Sequence, residues 1–343
     1  MGAVGREILA AAVKAATWGT AASVGANTGL LLTKDSIVRK RPPIVDVSAG
    51  TPYERIADQG NIVVAGDLTA YGRYDSLTAL LAMAMGTAGA PAQQGGTAAY
   101  KHILQLATNC DGKFLTYARD LVTQIQECPS MKVLGFDITG RAGEPIEITF
   151  HIACDDLLLP AVTNTSLASV TYRDRANRIL FGQMVMRCNA QSGGALAGGD
   201  TIKPSEFKFS YMKPMVGDYL AGNNYKIAEP VSDSAQLPQI SLTLTFPLFN
   251  SAVWNTAFQA DTRQKLDMTF TGALISGSYY YSLAIICPHL MVETSEEQIS
   301  GPDKIPNPVT LRLLTAAAAP TGMSYTQPFT IELINLQTTD PLA

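Results

Sequence analysis

Charge is scarce in this chain. Of its 343 residues, 16% are Asp, Glu, Lys or Arg and 47% are apolar, and the balance is a net charge of -4 with a pI near 5.4. That deficit argues against a reader of nucleic acid that works by neutralising phosphates. It does suit nucleic acid as a passenger that must slide without sticking. So apolar a chain with so little charge predicts more apolar surface than one subunit can hide, and hence an oligomer. The length predicts about two domains.

Reactive residues are few as well. The five cysteines, Cys110, Cys128, Cys154, Cys188 and Cys287, contain no CxxC pair, so neither a disulfide framework nor a zinc site is encoded. They read as buried thiols of a reducing compartment. There is no GxSxG elbow, no HExxH and no P-loop, and GALAGG at 194–199 lacks the strand-then-helix context of a dinucleotide site. His102, His151 and His289 are far apart in sequence and fall in expected strands. Cys154-Asp155-Asp156 reads as a hairpin end running into a solvated acidic loop. No catalytic, cofactor or metal residues are predicted, and no cofactor. Long hydrophobic runs are also missing: the apolar stretch 8–16 is broken by Lys14, is too short for a membrane span and lacks the layout of a signal peptide.

Period-two alternation dominates what is present. In 131–154, Leu134, Phe136 and Ile138 alternate with Gly135, Asp137 and Thr139. After a turn at 140–143, Ile146, Ile148, Phe150, Ile152 and Cys154 alternate with Glu147, Thr149 and His151. One face of this hairpin is buried and the other meets water or a partner. A slip of one residue would exchange the faces, so the register is pinned. Strands are also expected at 61–70, 100–107, 114–119, 239–246, 265–271 and 279–292, with a terminal hairpin pairing 309–313 with 329–333. Asp75 or Ser76 is placed to cap a short helix ended by Gly86. Asn250 is placed to cap a second, carrying Val253, Trp254, Ala257 and Phe258.

Strand, short capped helix, strands and closing hairpin thus occur in both halves. The reading is a mainly β protein, a β-sandwich or half-barrel with short flanking helices, in two tandem domains: 1–160 with a helix at 75–86, and 161–343 with a helix at 250–260. The basic run Arg39-Lys40-Arg41, followed by two prolines, reads as a subunit contact or a solvated loop.

Three blocks resemble the major tail tube proteins of long-tailed bacteriophages: ATWGTAA at 16–22, DSLTALLAMAMG at 75–86 following a GDL strand, and KVLGFDITGRAGEPIEITF at 132–150. SLTLTF at 241–246, with the helix and strand after it, is similar to the C-terminal half of that family. The resemblance implies a structural, non-enzymatic virion protein of the tail, made in the host cytoplasm. Its rings would stack into a tube around a channel for genome passage and ejection. It further implies as partners the chain itself, in trimeric rings of pseudo-sixfold symmetry or in hexameric rings, together with tape measure, tail terminator and tail-tip proteins. Double-stranded DNA would pass without specific binding, and no membrane is involved. Candidate lumen-facing residues are Asp137, Glu147, Thr149, Arg312 and Glu332. Candidate contacts between rings or subunits are Arg39, Lys40, Arg41, Glu54 and Arg55 in the excursion 39–60, and Asp218 and Tyr219 in the loop 217–233. The rival reading is a carbohydrate- or receptor-binding β-sandwich of a tail tip or surface adhesin, which requires an exposed aromatic cluster such as Tyr279-Tyr280-Tyr281.

Overall fold

The computed structural model describes residue 5, residues 8–47, residue 53, and residues 57–249, 252–295 and 304–343. The first half contains β1 (Leu9–Lys14), β2 (Gly29–Leu30), β3 (Leu32–Asp35), β4 (Val38–Lys40), β5 (Pro43–Val45), β6 (Ala57–Gln59) and β7 (Val63–Tyr71). After these come α1 (Thr78–Met85), β8 (Gly86–Thr87), β9 (Ala92–Gln93), β10 (Tyr100–Leu106), β11 (Leu115–Asp120), β12 (Ile125–Arg141) and β13 (Glu147–Cys154). The second half contains β14 (Met184–Ala190), β15 (Thr201–Ile202), β16 (Glu206–Met212), β17 (Met215–Val216), β18 (Val231–Ser232) and β19 (Gln239–Phe246). Then follow α2 (Val253–Gln259), β20 (Gln264–Ser276), β21 (Tyr279–Ser295), β22 (Asn307–Leu313) and β23 (Thr330–Asn335). Among the described residues the chain is mainly β with two short helices, as expected; nineteen strands join one open network, and β5–β6 and β17–β18 form two separate ribbons.

The core follows from the alternation. Phe136, Ile138, Ile148, Phe150 and Ile152 are buried, as are Phe207, Phe209, Tyr211, Leu242, Leu244, Val309 and Leu311, and all belong to one hydrophobic cluster that runs through both halves. At its centre the Phe136 ring lies 5.5 Å from Tyr211, 6.2 Å from Phe209 and 6.3 Å from both Phe150 and Phe329. Each such aromatic pair adds about 0.5–1.5 kcal/mol to what its buried area contributes.

The two halves share this sheet and core. β12 turns its last residues to β16, from Gly135↔Met212 to Arg141↔Glu206, and β10 pairs with β23. Gly135 is required at that junction, because a Cβ there would lie 2.2 Å from the Tyr211 carbonyl oxygen.

The pairing pattern occurs twice. The order β2-β1-β11-β12-β13-β7, with β3 and β4 on the far edge of β7, is matched by β15-β14-β20-β21-β22-β19-β16, antiparallel throughout. Two register shifts also coincide. One falls between Leu115 and Tyr117 and between Gln264 and Leu266; the other falls between Val133 and Gly135 and between Val292 and Thr294. The ribbons match as well, with Pro43↔Gln59 beside β4 and Met215↔Ser232 beside β16. Among the described residues β8, β9, β10 and β23 have no counterpart in this pattern.

Several local expectations need correction. The shift at Leu134 resets the alternation, so Val133 is buried and Leu134 only half-buried. β22 and β23 do not form a hairpin: β22 lies between β19 and β21, and β23 between β10 and β21. Neither Asp75 nor Ser76 caps α1; its N-cap is Leu77, without a side-chain bond. That helix is buried on almost every side and packs on β12 and β10, so its apolar residues do not form one stripe. Gly86 ends it with φ 82°, as expected. In α2, Trp254 and Ala257 are buried while Val253 and Phe258 are exposed; Asn250 lies outside the described residues. Asp155 and Asp156 are buried rather than solvated, held by partners distant in sequence.

Candidate functional site

Residues directly opposite one another on antiparallel strands share a face of the sheet. Followed across β7, β13, β12, β16, β19 and β22, one row reads Thr69, Thr149, Asp137, Ser210, Ser241, Arg312. The row two residues away reads Tyr71, Glu147, Thr139, Lys208, Thr243, Thr310 and continues to Thr294 on β21. On the far side of the first row come Asp67, His151, Gly135, Met212 and Gln239. Seven strands thus carry one polar, hydroxyl-rich face about 30 Å wide at the usual strand spacing. The opposite face is the Phe136 core.

The charges on this face are mixed and mutually compensated. Lys208 Nζ lies 3.0 Å from Asp137 Oδ2, and Ser210 Oγ donates to Asp137 Oδ1. His151 Nδ1 bonds Asp67 Oδ1 at 2.9 Å, and its Nε2 lies 3.8 Å from Asp137 Oδ2. Burial alone would raise the Asp137 pKa, but the His151, Ser210 and Lys208 groups outweigh it and hold the carboxyl well below the usual range. Asp137 and Asp67 in turn raise the His151 pKa against the burial that lowers it. Arg312 Nη2 sits 3.5 Å from Glu293, Thr69 and Thr149 share a hydroxyl bond at 3.1 Å, and Thr33 donates to Glu147 at 3.4 Å. The face therefore offers neutralised charges and hydroxyls. Among the described residues it carries no cationic stripe.

Of the predicted lumen residues, Asp137, Glu147, Thr149 and Arg312 fall on this one face. Glu332 does not. It lies on β23, between Ile103 and Ala284, where Lys101 pairs with it at 2.8 Å and the Tyr325 hydroxyl donates to it at 2.5 Å. Ser210, Ser241, Thr243 and Thr310 complete the face. Their strands were legible, but the order in which those strands lie side by side was not.

The predicted contact residues separate into two groups. Arg39 and Lys40 sit in β4, an edge strand paired only with β7 among the described residues. Arg39 Nε lies 2.7 Å from buried Asp156, and Arg41 donates to the Gly60 carbonyl and stacks on Tyr225. Glu54 and Arg55 lie outside the described residues. Asp218 and Tyr219 belong to a loop that folds back on its own chain. There Tyr219 Oη donates to Ile62 O at 2.9 Å, Trp18 Nε1 to Ile227 O at 3.0 Å, and Lys226 Nζ lies 3.1 Å from Asp156. Of the three adjacent tyrosines, Tyr281 is buried and Tyr280 exposed, so they form no exposed cluster.

Among the described residues no group of three or more His, Cys, Asp or Glu is arranged to hold a metal, and no helix is long and apolar enough to cross a membrane. Compared with protein-family models, residues 5–313 match the model described as "Phage tail tube protein". A search of curated proteins finds no match.

Proposed function

The chain belongs to the phage tail tube protein family and is a structural component of the virion tail, and from that premise we propose that it is the repeating subunit of the tube, with its polar sheet face lining the channel. The carrying observation is the continuous polar face spread over seven strands, backed everywhere by core. A lining for a sliding polyanion needs no strong attraction, because each neutralised phosphate adds to sticking and releases counterions. Hydroxyls and compensated pairs such as Asp137–Lys208 meet that need, with Glu147, Thr149 and Arg312 beside them. DNA and a tape measure protein are the intended passengers, and no reaction is assigned.

We read the ring as three chains, each supplying two tube-like units, 1–160 and 161–343. The doubled pairing pattern and the coincident register shifts support this reading. Each chain offers eight strand positions to the wall, namely β3/β4, β7, β13, β12, β16, β19, β22 and the end of β21. Three chains make about 24, and at about 4.8 Å per strand the wall is about 115 Å around before tilt. Strands tilted by about 35–45° widen this to a backbone diameter of about 45–50 Å. A duplex fits such a bore. Closing the ring also pairs edge strands that would invite aggregation on a free monomer.

Native mass spectrometry and electron microscopy of the full-length protein test the reading. Stacked rings with an axial channel and three 36.5 kDa chains per ring are expected. Six chains per ring would overturn the threefold arrangement, and discrete monomers at every concentration would overturn the tube.

A further inference from the structure

We infer that each chain joins the next copy in the ring through the same strand junction that joins its own two halves, an inference that rests on the ring reading above. Within the chain, β12 leaves β11, crosses its register shift at Val133/Gly135 and runs on beside β16. β21 leaves β20, crosses the matching shift at Val292/Thr294 and then has β22 on one side only. Among the described residues its other edge at Thr294 and Ser295 has no strand partner. The counterpart of β16 is β4, whose outer edge is also unpaired.

The register follows from the correspondences. Gly135 matches Thr294, since both directly follow the shift. Val133 faces Ile152, which faces Gly66; Val292 faces Leu311, which faces Leu242. Gly66 therefore matches Leu242, and Val64 matches Ile240. Arg39 faces Val64 as Tyr211 faces Ile240, so Lys40 matches Met212. The internal pairs Gly135↔Met212 and Phe136↔Tyr211 then translate into Thr294 opposite Lys40, and Ser295 opposite Arg39, of the next copy. Thr294 and Lys40 both fall on the polar face, as this requires. An open cleft of about 580 Å³ lined by Val38, Arg39 and Leu159 lies beside β4.

The ribbons give the same junction a second contact. Beyond β17 the chain clamps onto Ile62 and Asp156 of the first half. The matching positions in the second half, Pro238 and Thr315, line an apolar groove of about 760 Å³ in which Leu237 is 87% exposed. The matching ribbon β5–β6 carries Ile44 at 62% exposure and leads into Val47 at 92%. The next copy's ribbon is the occupant that fits this groove.

Cysteine pairing tests the register in the full-length protein. Directly opposite residues have Cα atoms about 4.5–5.5 Å apart, within disulfide reach of about 4.4–6.8 Å. T294C/K40C, oxidised after assembly, is expected to give covalent dimers and trimers and nothing larger on a non-reducing gel. T294C/K34C, six residues or about 20 Å out of register, is expected to stay at the unmodified-protein background. Rings that form normally but do not crosslink in T294C/K40C, or crosslink equally in both variants, would overturn the junction and leave the tube reading standing. Chains that never assemble, with or without the cysteines, would overturn both. In a second measurement, I44D should fold with an unchanged circular dichroism spectrum and raise the concentration needed for ring formation at least tenfold; unchanged assembly would count against the ribbon contact.

Discussion

Phe136 sits where the sheet crosses from one half to the other. It is fully buried on β12, opposite Phe150 on one neighbour and Tyr211 on the other, and its ring also meets Phe209 and Phe329. Phe136→Ala removes the ring from the middle of an aromatic cluster in which Phe150, Phe209 and Tyr211 are fixed by strand pairing, so the cavity cannot collapse readily. The expected loss is about 3–5 kcal/mol, the range for a buried Phe truncated in a close-packed core. Phe136 and Phe209 are stacked with centroids 6.2 Å apart and planes 20° apart, so a double-mutant cycle with Phe209→Ala should give a coupling of about 0.5–1.5 kcal/mol. Urea unfolding followed by tryptophan fluorescence measures both. Tyr280→Ala, at an exposed ring, serves as the control and should stay within about 0.5 kcal/mol of the parent. A Phe136→Ala loss below about 1 kcal/mol, or zero coupling, would refute the claim that this cluster ties the halves together.

Three further outcomes are expected. Asp155 is buried, with Oδ1 accepting the Ser130 N–H at 2.9 Å and Oδ2 unpartnered among the described residues, and burial pushes its pKa up to about 6. With the folded pKa raised, its contribution is fully present below about pH 4 and is lost as pH rises through about 6, so Asp155→Asn should gain about 2–3 kcal/mol relative to the parent between pH 4 and 8. Thermal melts across that window check this, and a pH-independent difference would contradict it. Gly135→Ala drives a Cβ into the Tyr211 carbonyl and Met212 Cα, so a loss of about 1–3 kcal/mol is expected in urea; a neutral result would show that the β12–β16 contact is looser than described. T149K/T310K adds two cations to the polar face. Tubes should still form but retain DNA at low salt, with a log-log salt slope steeper by about 0.9 per phosphate engaged. Intact tubes with unchanged DNA retention in cosedimentation would separate this face from the channel.

The strands were largely legible in the sequence because their chemistry is local. Ile148 and Phe150 against Glu147 and Thr149, or Leu242 and Leu244 against Ser241 and Thr243, state both the element and its faces. What the sequence leaves illegible is non-local. Leu134 falls on a register shift that only the partner strand reveals. The two terminal strands look like a hairpin until β21 and β10 supply their real neighbours. Asp156 looks solvated until Arg39 and Lys226, 117 and 70 residues away, are brought to it. Asp137, Glu147, Thr149 and Arg312 are polar strand positions that the sheet aligns; Glu332 has the same local signature on a strand that lies elsewhere. One non-local signal is present in the sequence itself: Cys128-Pro129 followed by Val133 recurs as Cys287-Pro288 followed by Val292, at the register shift common to the two halves.

The most direct measurement is a cryo-electron microscopy map of assembled tubes at side-chain resolution. Three chains per ring are expected, with a continuous wall of about 24 strands, the row Thr149, Asp137, Ser210, Ser241 and Arg312 facing the channel, and Thr294 beside Lys40 of the next chain. A ring of six chains, or a channel lined by another face with this row buried or turned outward, would contradict this arrangement.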